Sequence, residues 1–204
     1  MSSRDTAPYV SRGGLKLAAA LDAFGIDAGG LTCVDLGCNV GGFTDCLLQR
    51  GAAKVYAVDT GYGALAWRLR QDERVVVMER TNAMHLEPAA QPVDLAVIDL
   101  GWTPQRHAIP AALRWRPGRI VTLIKPHYER SDRAARGRGV LSEAEAERAM
   151  AEVLAALPDL GVEVAGHIRS PVAGGGRRKG RGGNIEYLAD LKPAAGNTLP
   201  QHPD

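Results

Sequence analysis

The chain has 204 residues, enough for one domain with a sizeable core, and its 45% hydrophobic and 24% charged residues are ordinary for a globular protein. A formal net charge of +2 does not mark it as a nucleic-acid binder by composition, and no run approaches the roughly 20 apolar residues of a membrane-spanning helix. Three cysteines (Cys33, Cys38 and Cys46), an odd number without CxxC spacing, argue against a disulfide framework or a metal site; with a polar N-terminus unlike a signal peptide, they point to the cytoplasm.

Short apolar runs alternate with helical spacing, which predicts an α/β fold around a mostly parallel seven-stranded sheet. In chain order, a helix over Leu15–Phe24 is followed by a strand over Leu31–Leu36, a helix over Gly42–Arg50 and a strand over Lys54–Asp59. A helix over Tyr62–Gln71, strands over Arg74–Glu79 and Val93–Asp99, a helix over Gln105–Trp115 and a strand over Arg119–Ile124 come next. Ser142, with Glu145 three residues on, is a capping box opening a helix over Glu143–Leu157. The last strands, Val162–Ile168 and Ile185–Ala189, have no helical pattern between them, so Arg169–Gly183 predicts an antiparallel hairpin that reverses the final strand. Residues 1–190 read as the folded domain, and the Pro- and Gly-rich tail 191–204 as disordered.

The strongest local motif, Asp35-Leu-Gly-Cys-Asn-Val-Gly-Gly-Phe43, follows the first strand and opens a helix. Gly37, Gly41 and Gly42 let the backbone approach a ligand closely, with Cys38, Asn39, Val40 and Phe43 completing the turn. The G-xxx-GG spacing differs from the G-x-G-x-x-G of dinucleotide folds, which disfavours a nicotinamide-dependent oxidoreductase. A looser loop suits a ligand with an amino-acid moiety and no phosphate, the chemistry of S-adenosyl-L-methionine. Asp59 ends the second strand, where a carboxylate can accept both ribose hydroxyls of an adenosine. Glu79 ends the third, followed by Arg80, Thr81, Asn82 and Ala83, a position suited to reading an adenine.

Asp99 and Lys125 end neighbouring strands, at the edge where open α/β sheets bind ligands. They read either as a salt bridge or as reacting groups; a lysine, with its ordinary pKa near about 10.4, accepts a proton only in its neutral form. Glu186 lies within an otherwise apolar strand, so it either sits on a solvated face or pairs with a cation.

With these residues the chain resembles the TlyA-type branch of the FtsJ-like ribose 2′-O-methyltransferases. The resemblance runs from Tyr9 to Leu188, through Tyr9-Val-Ser-Arg-Gly-Gly-Leu-Lys-Leu17, Gly41–Ala52, Val55–Asp59, Gly61–Gly63, Leu69–Asp72, Val75–Ala83, Val97–Asp99, Leu123–Pro126 and Gly183–Glu186. It implies a Rossmann-like fold, S-adenosyl-L-methionine as cofactor and ribosomal RNA as substrate. It also implies a catalytic Lys-Asp-Lys-Glu tetrad at Lys16, Asp99, Lys125 and Glu186, with Lys125 as proton acceptor. The chain departs from the family at Leu100-Gly-Trp-Thr103 and Cys38-Asn-Val40, and it begins only a few residues before the matched motifs, where relatives carry an RNA-binding domain. An accessory RNA-binding partner is one way to supply that function.

RNA contacts are expected at Arg12 and in the Gly-interrupted basic stretch Gly174–Gly183, through Arg177, Arg178, Lys179 and Arg181; Arg130–Arg138 is similarly basic. Trp102 reads either as a stacking surface for a base or as packing. Two further readings are a catalytically idle RNA-binding or assembly protein on the same fold, which the intact tetrad counts against, and a hemolysin-like protein, for which the chain offers no membrane segment.

Overall fold

The computed structural model describes residues 7–88, 91–129, 140–174 and 183–194. Seven strands form one sheet: β1 (Thr32–Leu36), β2 (Lys54–Val58), β3 (Val75–Met78), β4 (Leu95–Ile98), β5 (Arg119–Ile124), β6 (Val162–Arg169) and β7 (Tyr187–Pro193). Their order is β3-β2-β1-β4-β5-β7-β6. The first five pair in parallel, and β7 runs antiparallel to both of its neighbours. The final strand is thus reversed, as expected, and it is inserted between β5 and β6 rather than added at the edge.

Among the described residues six α-helices accompany the sheet, α1 (Gly13–Phe24), α2 (Gly42–Gln49), α3 (Trp67–Arg70), α4 (Gln105–Leu113), α5 (Pro126–Glu129) and α6 (Glu143–Ala156), with a 3-10 turn at Pro158–Leu160. Alternate residues of a strand face opposite sides, so each strand feeds two cores. Cys33 of β1, Val97 of β4 and Leu123 of β5 pack with Leu17 and Leu21 of α1 and Phe43 and Leu47 of α2. Val34, Ala96 and Ile124 face the other way, toward Ile109 and Ala112 of α4, Trp115, and Met150 and Val153 of α6. Burial on both faces is why β4, Leu95–Ile98, is a continuous apolar run.

Helix ends follow local chemistry. Gly25 closes α1 in the left-handed region at φ +61, and the next N–H, that of Ile26, reaches back to the Leu21 carbonyl. At α6 the capping box forms: the Glu145 N–H donates to Ser142 Oγ at 3.3 Å, and the Ser142 N–H donates to Glu145 Oε2 at 2.9 Å. Arg119 of β5 donates two 2.7 Å bonds to the carboxylate of Asp190 of β7 and a third, at 3.1 Å, to the Phe24 carbonyl, tying both strands to α1.

Three elements differ from the sequence expectation. The helix expected over Tyr62–Gln71 contracts to α3, because the Glu79 carboxylate accepts the Gly63 N–H at 2.9 Å and the Leu65 N–H at 3.5 Å and holds that stretch as a loop. The short helix α5 has no counterpart among the expected elements. Strand β7 continues to Pro193, past the expected boundary at 190, since Leu191 pairs with Ile120 and Lys192 with Glu163. Residues 195–204 of the tail lie outside the described residues. Among the described residues no helix is long and apolar enough to cross a membrane, and no cluster of His, Cys, Asp or Glu could hold a metal ion.

Candidate active site

The strand order changes direction at β1, between β2 and β4, and such a switch point opens a crevice at the carboxyl ends of the strands. The loop after β1 lines it. Gly37 has φ +94, and a Cβ there would lie 2.6 Å from the Asp99 carbonyl oxygen, so only glycine lets this loop pass beneath the strand end of β4. The N–H groups of Gly37 and Cys38 both donate to the Val58 carbonyl, at 2.8 and 3.1 Å. Asp59 Oδ2 accepts the Asn39 N–H at 2.9 Å, and its Oδ1 accepts the Gly61 N–H at 2.7 Å. Asp59 therefore braces the loops after β1 and β2 while remaining at the crevice wall.

Asp35 lies below the loop. It is fully buried, and its Oδ2 accepts from the Thr44 N–H at 2.9 Å and the Thr44 hydroxyl at 2.7 Å, while Oδ1 has no hydrogen-bond partner. Burial pushes its carboxyl up to about 7, against the Thr44 hydrogen bonds and with help from the nearby charges of Asp99 and Asp59. Glu79 turns away from the crevice: the Gly63 N–H and the Arg70 guanidinium hold its carboxyl below the usual carboxylate range.

Two adjoining cavities make up the crevice. The first, of about 220 Å³, is bounded by Arg12, Lys16, Gly37–Val40, Gly42, Phe43, Asp99 and Gly174. The second, of about 500 Å³, is bounded by Gly37, Asn39, Asp59, Thr81, Asn82, Ala83 and the segment Asp99–Thr103. Gly37, Asn39 and Asp99 belong to both. Of the residues expected to bind a cofactor, Asp35 and Gly41 line neither cavity and support the loop from behind; the others stand on the walls.

The four ionisable residues come together as two ion pairs. Lys16, on the buried face of α1, pairs with Glu186, which immediately precedes β7 rather than lying within it. Their side chains are 11% and 4% exposed, so this pair is shielded from water. Lys125, between β5 and α5, pairs with Asp99 after β4 and also donates to the Leu100 carbonyl at 3.3 Å. Lys16 and Asp99 both face the smaller cavity. Tyr128 joins the two pairs electrostatically: burial pushes its phenol up, Lys125 opposes this, and Glu186 and Asp99 add to it. His127, buried beside it, is pushed down to about 4, first by burial and then by Lys125.

Trp102 is 68% exposed on the wall of the larger cavity, with φ +57 and its ring centroid 4.8 Å from that of Tyr128. It both packs and offers an open face. Arg12 is exposed at the start of α1 and borders the smaller cavity. Arg177, Arg178, Lys179, Arg181 and the stretch Arg130–Arg138 lie outside the described residues. Sequence reasoning did not single out Tyr128, His127 or Gly174 as site residues; Tyr128, one helical turn beyond Lys125, was the one with a local signal.

Comparison with known proteins agrees with this geometry. The model of the FtsJ-like methyltransferase family matches residues 9–189. The 16S/23S rRNA (cytidine-2′-O)-methyltransferase TlyA of Mycobacterium tuberculosis is 41% identical over 196 residues, covering 94% of this chain and 71% of that protein. A hemolysin-named solved structure from Lactococcus lactis superposes with TM-score 0.83 at 36% identity, covering 96% of this chain and 94% of the other. A solved S-adenosylmethionine-dependent methyltransferase from Mesorhizobium loti shares the fold at TM-score 0.59 and 17% identity, over 85% of this chain and 96% of that one. The Rossmann-like methyltransferase fold and the family match across nearly the whole chain lead to the same place: the chain belongs to the FtsJ-like methyltransferase family.

Proposed function

We propose that the protein is an S-adenosyl-L-methionine-dependent methyltransferase acting on a ribose 2′-hydroxyl of ribosomal RNA. The observation that carries this reading is the placement of Lys16 and Asp99 on the crevice beside the glycine loop, the first paired with Glu186 and the second with Lys125. The 41%-identical TlyA of M. tuberculosis is named for this reaction.

The crevice fits the cofactor. The smaller cavity, bounded by the Gly37–Val40 loop, suits an amino-acid moiety, and the carboxylate of Asp59 with Thr81–Ala83 suits an adenosine in the larger one. Bound S-adenosylmethionine supplies a methyl group on a sulfonium, an electrophile that needs an aligned oxygen nucleophile. Lys125 in its neutral form takes the proton from the attacking 2′-hydroxyl at Nζ. Asp99 Oδ1 accepts a hydrogen bond from that amine, fixing its direction and balancing the ammonium that results. Lys16, held by its pair with Glu186 behind it, faces the same cavity and positions the ribose so that the oxygen meets the methyl in line.

Arg12 beside the smaller cavity, with the basic stretch around Arg177–Arg181, would hold RNA phosphates, assisted by an accessory RNA-binding partner or the ribosomal subunit itself. The chain through the end of β7 at Pro193 works as one methyltransferase domain in the cytoplasm. The test is methyl incorporation from labelled S-adenosylmethionine into ribosomal subunits, with the modified position mapped. Label at a ribose 2′-oxygen is the expected outcome; label on a base, or none on any RNA, overturns the reading.

A further inference from the structure

Glu186 is held from a side that the tetrad itself does not explain. Its backbone carbonyl accepts the Ser170 N–H at 2.8 Å, which places it opposite the end of β6. Two residues earlier, Asn184 forms an antiparallel bridge with Gly174: the Gly174 N–H donates to the Asn184 carbonyl at 2.9 Å. The Asn184 side-chain Oδ1 accepts the Leu141 N–H at 3.0 Å, one residue before the cap of α6. Asn184 thus pins the start of α6 and the stem of the β6–β7 hairpin to the same point.

Gly174 faces the carboxylate. A Cβ built on it would overlap Glu186 Oε1 and crowd its Cδ, while the other oxygen, Oε2, is the one paired with Lys16. The Gly174 backbone is not in the left-handed region, so glycine here serves space and not φ. Gly183 differs, because a Cβ there would overlap the Gly174 carbonyl, which is backbone and cannot step aside. Gly174 also lines the smaller cavity, together with Lys16 and Asp99.

We propose that Gly174 and Asn184 are positioning residues for methyl transfer: their bridge supplies a wall without a side chain that sets the Glu186 carboxylate against Lys16. The inference rests on the proposed 2′-O-methyl transfer, and it specifies what keeps the Lys16–Glu186 pair of that site in place. Neither residue touches the reacting atoms in this role; both act through Glu186.

The test is a pair of double-mutant cycles on the full chain, using Gly174→Ala, Glu186→Ala and the combination. In steady-state methylation of ribosomal subunits, Gly174→Ala is expected to lower kcat by about 10- to 100-fold, the range for a displaced positioning group, with KM for S-adenosylmethionine unchanged. In the Glu186→Ala background the same substitution is expected to cost less than twofold, because the carboxylate it displaces is gone. Asn184→Ala should follow Gly174→Ala in lowering kcat, and Asn184→Asp, which keeps the acceptor for the Leu141 N–H, should recover most of the rate. Full activity of Gly174→Ala, or losses that multiply in the double variant, overturns the proposal. Melting temperatures of the same four proteins give a readout independent of activity. Gly174→Ala should lower the melting temperature in the wild-type background and not in Glu186→Ala; equal shifts in both backgrounds also overturn the proposal. Absence of methyl transfer by the wild type would instead count against the proposed function, leaving the melting cycle to decide the contact.

Discussion

Asp35 offers a measurable consequence of the way the cofactor loop is built. Its folded-state carboxyl is raised from 3.8 to about 7, with burial the largest cause. Between about pH 4 and pH 7 the folded protein keeps a proton that the unfolded chain releases, so this group's contribution makes the fold less stable as pH rises through that window. A shift of about 3 units at about 1.4 kcal/mol each amounts to some ~4 kcal/mol, fully felt above about pH 7. Asp35→Asn cannot ionise, and its side-chain oxygen can still accept from the Thr44 N–H and hydroxyl. Its amide nitrogen takes the place of Oδ1, which already lacks a partner, so that cost enters as an offset that does not vary with pH. Urea unfolding of both proteins at pH 5, 6, 7 and 8, with matching m-values, isolates the difference. The variant should gain on the wild type with each step, by a few kcal/mol in all. A stability difference that stays constant across the series would refute the reasoning and return Asp35 to an ordinary ionised acid.

Three further outcomes follow from the crevice. Lys125→Ala should lower methylation by about 10²–10⁴-fold while calorimetric affinity for S-adenosylmethionine is nearly unchanged, because the lysine acts on the hydroxyl proton. Gly37→Ala places a Cβ 2.6 Å from the Asp99 carbonyl at φ +94 and should abolish cofactor binding in the same calorimetric assay, with the fold retained by circular dichroism. Replacing Arg177, Arg178, Lys179 and Arg181 with Ser should weaken RNA binding at low salt and flatten its logarithmic salt dependence by about 0.7 for each phosphate of a single strand that is no longer neutralised.

The parts of this protein readable from sequence are those governed by short-range patterns. The buried strands announce themselves as apolar runs such as Leu95–Ile98, and the ligand loop as closely spaced glycines after β1. The four residues expected as catalytic were readable as candidates because each sits in its own matched motif, and Lys125 and Asp99 lie on neighbouring strand ends. How the four divide was not: Lys16 and Glu186 are 170 residues apart, and only the position of α1 against β7 brings them together. Glu79 follows directly on β3, one residue past its end, and its bonds to Gly63 and Arg70, which undo the helix expected over Tyr62–Gln71, depend on a loop folding back. Gly174 reads in sequence as one glycine among several, since the carboxylate it faces is set by the hairpin register.

The insertion of β7 between β5 and β6 bears on how the protein is made. Strand β5 must wait, with one edge unpaired, until the last strand of the sheet has been synthesised, and β6 has no place beside the sheet until then. Such long-range pairing folds slowly, and an unpaired edge invites association with other chains. The same late strand follows directly on Glu186, and its Asp190 receives Arg119. A nascent chain released before Tyr187 would carry the glycine loop while its sheet stays open along β5. Completion of the sheet and the meeting of Glu186 with Lys16 therefore depend on one late event, the arrival of β7 between β5 and β6.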